Sequence, residues 1–377
     1  MARCAIVHYW LLGMRGGEKV VEAFCRLFPD ADLFTLFYDP EAVSTVIRSH
    51  RVRTSFLNPL KRRHRSLLPV MPFALESLDL RGYDLIISSE SGPAKGVITP
   101  ANALHFCYCH SPMRYLWDLY PAYLHEWARS PWRREIFRVL ATPLRLWDYA
   151  SAARVDHFIA NSRNVQQRIW RTYRRESQVI YPPVPVEKFY NHTPEGYYLA
   201  VSELVSYKRI EDAVRCFSRS GRQLKIVGDG PEYRSLKRLA TENIEFCGRV
   251  SDEQLRGLYA RCRALVMPGE EDFGLIGVEA VASGKAVIAL GRGGVLESAP
   301  VENPRAGFFY DTPGDISLEE GIRSFEKAEA FISSEELQRW ATRFSETHFA
   351  ESMNRAIAAH TAGQFHNNFT TLLRQAV

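Results

Sequence analysis

Residues 264–290 read ALVMPGEEDFGLIGVEAVASGKAVIAL. The apolar runs at the two ends of this stretch, Ala264–Met267 and Ala286–Leu290, predict buried strands. Between them, Pro268-Gly269 predicts a turn and Leu275–Ala282 a helix, which the Ser-Gly pair that follows would end. The stretch therefore predicts a strand, a loop, a helix and a second strand in direct succession.

Two carboxylates accompany this helix. Glu271 lies in the loop before it, and Glu279 lies about two turns inside it. At the helix start, the N–H groups of Phe273, Gly274 and Leu275 have no intrahelical partner and would suit a phosphate. Carboxylates would repel a phosphate, but they suit the many hydroxyls of a sugar. The alternative is an ordinary loop and helix with one solvated and one salt-bridged glutamate.

With Phe-Gly after the first acid, Glu271 and Glu279 resemble the E-x7-E element of retaining glycosyltransferases of family 4. That resemblance covers nearly the whole chain. It implies an α/β protein of the GT-B fold, in which two Rossmann-like, doubly wound domains face each other across a cleft. It also implies that Glu279 holds ribose hydroxyls and that Glu271 holds the O3/O4 edge of the transferred sugar.

Composition and length agree with a soluble two-domain protein. The chain has 377 residues, 46% of them hydrophobic and 24% charged. Its seven cysteines include no C-x-x-C pair, so we expect buried free thiols in a reducing cytosol and no zinc site. No apolar run reaches the roughly 18 residues that a membrane-spanning helix needs.

The charge is distributed unevenly along the chain. Up to Ile180 there are 25 Lys and Arg against 16 Asp and Glu; afterwards there are 23 against 27, for a net charge of +5. A basic first half suits an anionic partner. No helix-turn-helix, zinc-finger or RNP-like pattern indicates nucleic acid, so an anionic membrane surface is the better interpretation.

The beginning of the chain predicts a buried strand at Ala5–Leu12 and a helix at Glu18–Phe28, joined by a turn at Gly16 and Gly17. A glycine pair at such a turn lets the backbone approach a ligand closely. It could equally be only a tight turn. Gly16-Gly17-Glu18 resembles the glycine-rich loop of the N-terminal domain in family 4.

A second motif follows the strand predicted at Ala103–His110 and reads HSPMRYLWD from residue 110 to residue 118. A histidine at the carboxyl end of a strand lies where open α/β sheets place their ligands. The motif resembles bacterial family members that build O-antigen and exopolysaccharide, including mannosyltransferases. The resemblance implies that His110 contacts the transferred sugar and that Arg114 and Tyr115 line the acceptor side.

Two basic segments leave their roles open. Arg51–Arg65 interleaves six basic residues with Phe56, Leu57 and Leu60, and it suits a solvated loop as well as a membrane or phosphate contact. A helix at Pro131–Tyr149, which Pro143 should bend or break, suits a bilayer interface as well as a core. Its proposed apolar face comprises Trp132, Ile136, Leu140, Leu144 and Trp147, with Arg129, Arg133, Arg134, Arg138 and Arg145 around them.

Three prolines in Tyr181–Pro185 predict the domain boundary. We expect an acceptor domain over residues 1–185 and a donor domain over 186–344. By the same resemblance, the tail of about 345–377 packs back on the first domain.

After the strand predicted at Tyr197–Ser202, Lys208 stands beside a helix start, where it would meet the diphosphate, and Arg209 follows it. The family has an arginine five residues before this lysine, but here the residue is Glu203. A carboxylate cannot replace a guanidinium against phosphate, although Arg209 could compensate. Gly228-Asp229-Gly230 predicts only a turn, whereas Arg249 and Val250 are expected beside the nucleobase.

The resemblance implies a hexosyltransferase. No D-x-D motif stands in a fitting place, so we expect it to be metal-independent. The basic first half and the segment rich in Trp and Arg predict that it works peripherally at the inner face of the cell membrane. GDP-mannose is the favoured donor, with UDP-glucose next, and a polyprenyl-linked saccharide is the expected acceptor. The alternatives are a non-catalytic nucleotide-sugar-binding scaffold and an epimerase or phosphorylase of the same fold. A hydrolase would need two acids flanking one glycosidic bond, and Glu279 lies too deep in its helix for that role.

Overall fold

The computed structural model describes residues 2–126 and 131–361. The chain divides into two compact units, Met1–Pro183 with Thr347–Val377 and Val184–Glu346. All seven cysteines are free thiols, and six of them are buried. None of the helices in the described ranges is long and apolar enough to cross a membrane.

The first unit is built on a seven-stranded parallel sheet. Its strands are β1 (Cys4–Leu11), β2 (Asp32–Tyr38), β3 (Val52–Thr54), β4 (Leu85–Glu90), β5 (Leu104–Cys109), β6 (His157–Ala160) and β7 (Ser177–Val179). Its helices are α1 (Gly16–Leu27), α2 (Thr45–Ser49), α3 (Met71–Glu76), α4 (Tyr120–Glu126), α5 (Pro131–Ser151) and α6 (Arg163–Tyr173). The strand order is β3-β2-β1-β4-β5-β6-β7, so the chain reverses direction across the sheet between β1 and β4.

The second unit is built on a six-stranded parallel sheet. Its strands are β8 (Tyr198–Val201), β9 (Leu224–Val227), β10 (Ile244–Gly248), β11 (Ala264–Met267), β12 (Ala286–Leu290) and β13 (Gly307–Tyr310). Its helices are α7 (Ile210–Ser220), α8 (Tyr233–Leu239), α9 (Asp252–Arg261), α10 (Leu275–Ala282), α11 (Val295–Ser298), α12 (Asp315–Ala328) and α13 (Ser334–Ala341). The strand order is β10-β9-β8-β11-β12-β13, which reverses between β8 and β11.

The last helix, α14 (Glu346–Thr361), packs on the core of the first unit. The ring of Phe349 lies 5.3 Å from that of Phe24 on α1 and 5.7 Å from that of Tyr108 on β5. The predicted tail beyond Thr361 lies outside the described residues.

These two sheets confirm the predicted α/β class with two Rossmann-like units. The strands at Ala264–Met267 and Ala286–Leu290 and the helix at Leu275–Ala282 agree with the prediction at both ends. The Ser162 hydroxyl caps α6 by accepting from the Val165 N–H at 3.0 Å. The Arg51–Arg65 segment is only partly a loop, because β3 and a run of 3-10 turns at Asn58–Val70 occupy most of it.

Two expectations about α5 are wrong. The helix continues through Pro143, which is exposed, so water can solvate the carbonyl that loses its helical partner there. The apolar residues do not form the predicted single face either. Trp132 and Ile136 are exposed, together with Val139 and Leu146, whereas Leu144 packs into a buried cluster. Arg129 lies outside the described residues.

Candidate active site

In the second unit, Lys208 and Glu271 come together at the point where the strand order reverses. Lys208 follows β8 and Glu271 follows β11, and these two strands are neighbours. The Lys208 Nζ donates to Oε2 of Glu271 at 2.5 Å, and about a fifth of each side chain remains exposed. Open α/β sheets bind their ligands outside the carboxyl ends of strands at such a reversal.

Glycines allow the loops around this ion pair to approach one another. A Cβ at Gly269 would lie 2.7 Å from the carbonyl oxygen of Lys208, too close for any side chain. Gly294 donates its N–H to the carbonyl of Glu271 at 2.8 Å, and Gly274 adopts a φ of 90° directly before α10. The backbone therefore fixes Glu271 beside Lys208 from both sides of its loop.

Arg209 lies at the start of α7 in a left-handed conformation with a φ of 55°. This conformation is uncommon for a residue with a side chain, and such residues cluster at functional sites. The Arg209 guanidinium donates from Nε to Asp212 at 2.7 Å. The structure thus pairs Arg209 with its own helix, while Lys208 pairs with Glu271.

Glu279 is buried inside α10. Its Oε2 accepts from the Tyr259 hydroxyl at 2.9 Å. Burial and the neighbouring carboxylate raise the pKa of Tyr259 well above its ordinary value, which keeps this phenol protonated as a donor. The contact fixes the position of Glu279, and its proposed hold on the ribose stays a prediction.

The other predicted donor contacts differ in how far their side chains are buried in the second unit. Phe273 is buried, with its ring 5.6 Å from that of Phe344, and Leu275 is the first residue of α10. Arg249 is largely exposed and pairs with Asp229 at 3.8 Å, whereas Val250 packs against the core. The side chain of Glu203 is exposed.

In the first unit, histidines gather at the corresponding reversal of strand order. The Nε2 of His110, which follows β5, lies 2.9 Å from the Ser89 hydroxyl on β4. The Nδ1 of His8, near the end of β1, lies 3.0 Å from the carbonyl oxygen of Ser89. Gly16 opens α1, and a Cβ at Gly17 would lie 3.9 Å from Nε2 of both rings.

Both imidazoles are uncharged at neutral pH. Burial lowers the pKa of His110 to about 4. Burial and the proximity of His110 lower the pKa of His8 to about 3. Glu18 caps α1 by accepting from the Arg15 N–H at 3.2 Å, so its carboxylate is occupied at the helix start.

Arg114 and Tyr115, the predicted acceptor contacts, interact with near neighbours in sequence. The Nε of Arg114 lies 3.2 Å from Asp118, and the Tyr115 hydroxyl lies 3.2 Å from the sulfur of Met113. The loop that carries them is anchored to α5, because Trp117 donates to Oδ2 of Asp148 at 2.7 Å. Asp148 forms a fully buried ion pair with Lys95.

Two features of the first unit were not predicted. His8 lies inside an apolar strand, where a lone histidine is usually structural; the available signal was its place near the carboxyl end of β1. The Lys95–Asp148 pair gave no sequence signal, because the two residues are 53 positions apart. Over the described ranges, no three His, Cys, Asp or Glu side chains are arranged to hold a metal ion.

Comparison with known proteins agrees with this geometry. Residues 14–188 match the family described as Glycosyltransferase Family 4, and residues 187–344 match Glycosyl transferases group 1. Together the two matches cover residues 14–344 and support a glycosyltransferase with the GT-B fold. This glycosyltransferase shares its fold with the Anabaena protein HepE in complex with UDP-glucose, with a TM-score of 0.68 and 18% identity. That alignment covers 94% of the present chain and 99% of HepE.

Relatives with higher sequence identity match over shorter segments. An uncharacterized glycosyltransferase of Methanocaldococcus jannaschii is 29% identical over 147 residues, which are 38% of this chain and 42% of the relative. A GDP-mannose-dependent alpha-mannosyltransferase of Corynebacterium glutamicum is 39% identical over 98 residues, 26% of this chain and 24% of that protein. The matched segments thus span less than half the length of these relatives.

Proposed function

We propose that this glycosyltransferase moves a hexose from a nucleotide diphosphate sugar to an acceptor hydroxyl and retains the anomeric configuration. The Lys208–Glu271 pair at the strand reversal of the second unit carries this proposal. It offers a cation for the diphosphate beside a carboxylate for the sugar, next to the N-terminus of α10. GDP-mannose is the favoured donor and UDP-glucose the next, in line with the mannosyltransferase relative and with HepE.

In the proposed reaction, the bond between the anomeric carbon and the diphosphate oxygen breaks, and the acceptor oxygen forms the new bond on the same face. The acceptor proton passes to the leaving phosphate. Lys208 and the N-terminus of α10 would stabilise the charge on the diphosphate. Glu271 would support the positive charge that develops on the sugar ring. The proposed reaction is metal-independent, with these protein groups in the place of a metal ion.

A panel of nucleotide diphosphate sugars tests this assignment. We expect GDP-mannose or UDP-glucose to raise the melting temperature and to be consumed when an alkyl glycoside is offered as acceptor. Nuclear magnetic resonance of the product should show the anomeric configuration of the donor. Inversion would contradict the retaining mechanism, and an absence of binding by every nucleotide sugar would contradict the proposed function.

The acceptor is proposed to be a lipid-linked saccharide that the protein meets at the inner face of the cell membrane. Two exposed patches of the first unit support this. On α5, Trp132, Ile136, Val139 and Leu146 are all exposed along one helical stripe. The second patch combines exposed aromatic and aliphatic side chains with exposed arginines, namely Phe56, Leu60, Phe73, Arg62, Arg63 and Arg65.

The chain segments that carry the two patches pack against each other. Leu68 in the segment Asn58–Val70 and Leu144 of α5 belong to one apolar cluster. Liposome sedimentation tests the contact. Val139→Ser with Leu146→Ser should lower binding to anionic vesicles several-fold, because two bilayer-facing apolar side chains are lost. The matched control is Ile316→Ser, which removes an equally exposed apolar side chain from the second unit. Equal losses in both proteins would contradict a bilayer contact through α5.

A non-catalytic nucleotide-sugar-binding protein is the second candidate, and Glu203 favours it. An exposed carboxylate stands where the family has an arginine, and it repels a diphosphate. This candidate predicts donor binding with no transfer and no hydrolysis of a labelled donor. Measurable turnover would dismiss it.

A further inference from the structure

We propose that His8 accepts a hydrogen bond from a sugar hydroxyl, and that it forms a binding site with His110 over the Gly17 turn. The inference deepens the proposed function and rests on it, because it assigns a residue of the first unit to sugar recognition. No motif of the sequence analysis included His8.

The position of His8 fixes which of its ring nitrogens can meet a ligand. The Nδ1 lies 3.0 Å from a carbonyl oxygen, that of Ser89, which can only accept. The proton of the neutral ring is therefore on Nδ1, and Nε2 carries a lone pair. His8 is 1% exposed, and among the residues that the structure describes its Nε2 has no hydrogen-bond partner. An unpaired buried acceptor is costly, so a ligand that pairs with it gains that free energy.

Gly17 lies beside this nitrogen and beside the ring of His110. The position that a Cβ on Gly17 would take lies 3.9 Å from Nε2 of His8 and 3.9 Å from Nε2 of His110. Gly17 does not adopt a positive φ, so its backbone conformation requires no glycine. The lack of a side chain there serves instead to leave room between the α1 N-terminus and the two rings.

The chemistry of the site favours a hydroxyl over a phosphate. A phosphate oxygen accepts hydrogen bonds and would oppose the lone pair on Nε2, whereas a hydroxyl donates to it. Burial keeps the His8 ring neutral, since its pKa is lowered to about 3. The hydroxyl could come from the hexose of the donor or from the acceptor, and either one would donate the same hydrogen bond to Nε2.

Two substitutions of His8 separate its ring nitrogens. In His8→Asn the amide nitrogen keeps the donor to Ser89 and the acceptor at Nε2 is lost, whereas His8→Gln places an amide oxygen near Nε2. The measurement compares the affinity for UDP-glucose with that for UDP, and for GDP-mannose with that for GDP. Loss of one hydrogen bond should lower the advantage of the nucleotide sugar about tenfold in His8→Asn, with a smaller loss in His8→Gln.

The outcomes separate the sources of the hydroxyl. If His8→Asn leaves donor affinity unchanged but raises the KM for an octyl glycoside acceptor, the hydroxyl belongs to the acceptor, and the site stands. If neither changes, or if UDP and GDP weaken as much as their sugars, the proposal is overturned. A wild-type protein that binds none of the nucleotide sugars defeats the proposed function first, and the inference with it.

A pair of glycine variants tests the space without touching a histidine. Gly17→Ala places a methyl group 3.5 Å from the His8 ring, an ordinary contact that the fold tolerates. We expect its melting temperature to stay near that of wild type and its sugar-dependent affinity to fall at least as far as in His8→Asn. Gly13→Ala, whose Cβ would meet nothing within 4 Å, is the matched control. A Gly17→Ala protein that keeps both full sugar affinity and the wild-type KM for the octyl glycoside would overturn the proposal.

Discussion

The two units place chemically opposite groups at the same topological position. At the strand reversal of the second unit, a lysine and a glutamate form a partly exposed ion pair. At the strand reversal of the first unit, two histidines with lowered pKa values surround a glycine turn. One site is thus charged and the other neutral, although both rest on parallel sheets with the same kind of reversal.

This difference indicates a division of labour in the proposed reaction. A diphosphate needs a cation and helix N–H groups, which Lys208 and α10 supply. Hydroxyls need neutral donors and acceptors, which imidazoles supply without a large desolvation cost. The first unit also contains the Lys95–Asp148 ion pair, in which neither side chain is exposed at all. That buried pair is structural, and it can be separated by experiment from charge that binds a ligand.

The largest effect is expected from Lys95→Met. It leaves Asp148 buried without its cation, and the expected loss is about 3–5 kcal/mol of unfolding free energy. Urea titration measures this loss. The double variant Lys95→Met with Asp148→Asn removes both charges and keeps an acceptor for Trp117 and Tyr173, so it should recover at least half of the loss. Equal stability of the single and double variants would show that the unpaired charge of Asp148 does not cause the loss of unfolding free energy.

Glu271→Gln probes the charged site. The rate of transfer should fall about a hundredfold or more, since the carboxylate beside the developing ring charge is lost. Binding of the nucleoside diphosphate should tighten a few-fold, because Lys208 no longer shares its charge with a carboxylate 2.5 Å away. Calorimetry with GDP and UDP measures the binding, and Glu270→Gln in the same loop is the control. Weaker diphosphate binding in Glu271→Gln would contradict the shared-cation account.

Acid should lower the stability of the first unit before that of the second. His8 and the fully buried His105 have pKa values of about 3 and about 4, below the ordinary 6.5. Below pH 6.5 the unfolded chain therefore binds more protons than the folded one, and stability falls as the pH drops toward 4. Each histidine contributes a slope approaching about 1.4 kcal/mol per pH unit. The second unit contains only the exposed His192.

Urea titrations at pH 7.5, 6.5 and 5.5 measure this dependence. Below pH 6.5, His105→Asn should reduce the slope of unfolding free energy against pH by the contribution of one bound proton. A change in stability at pH 7.5 does not affect this comparison of slopes. An unchanged slope in His105→Asn would mean that its proton uptake is the same in both states.

The sequence predicts the local elements of both sites well and their assembly poorly. The strand, loop and helix around Glu271 follow from uninterrupted apolar runs and from glycine and proline at the turns, which are local signals. The stripe on α5 was misassigned because residues spaced by four drift by about 40° around a helix at each step, so Trp132 and Leu144 face different ways.

Contacts between distant residues required the strand order. Lys208 meets Glu271 across 63 positions only because β8 and β11 are neighbours, and Ser89 lies between His8 and His110 only because β4 separates β1 from β5. Family resemblance predicted Lys208 and Glu271 each alone, with separate roles, and it included nothing about their ion pair. The partner of a buried polar group is a property of the tertiary fold, so His8 could not be distinguished from a structural histidine beforehand.

The smallest predicted effect concerns the charged site of the second unit. Glu203→Arg restores the guanidinium that the family has at this position, and a charge-assisted hydrogen bond to the diphosphate should tighten GDP or UDP binding about tenfold. Glu203→Gln removes only the repulsion and should give a smaller gain, so the difference between the two variants isolates the new bond. Both gains should shrink as salt rises from low to physiological concentration, since the Glu203 side chain is exposed. If Arg and Gln bind equally tightly, the guanidinium does not reach the diphosphate, and Lys208 serves as the cation without an arginine from this position.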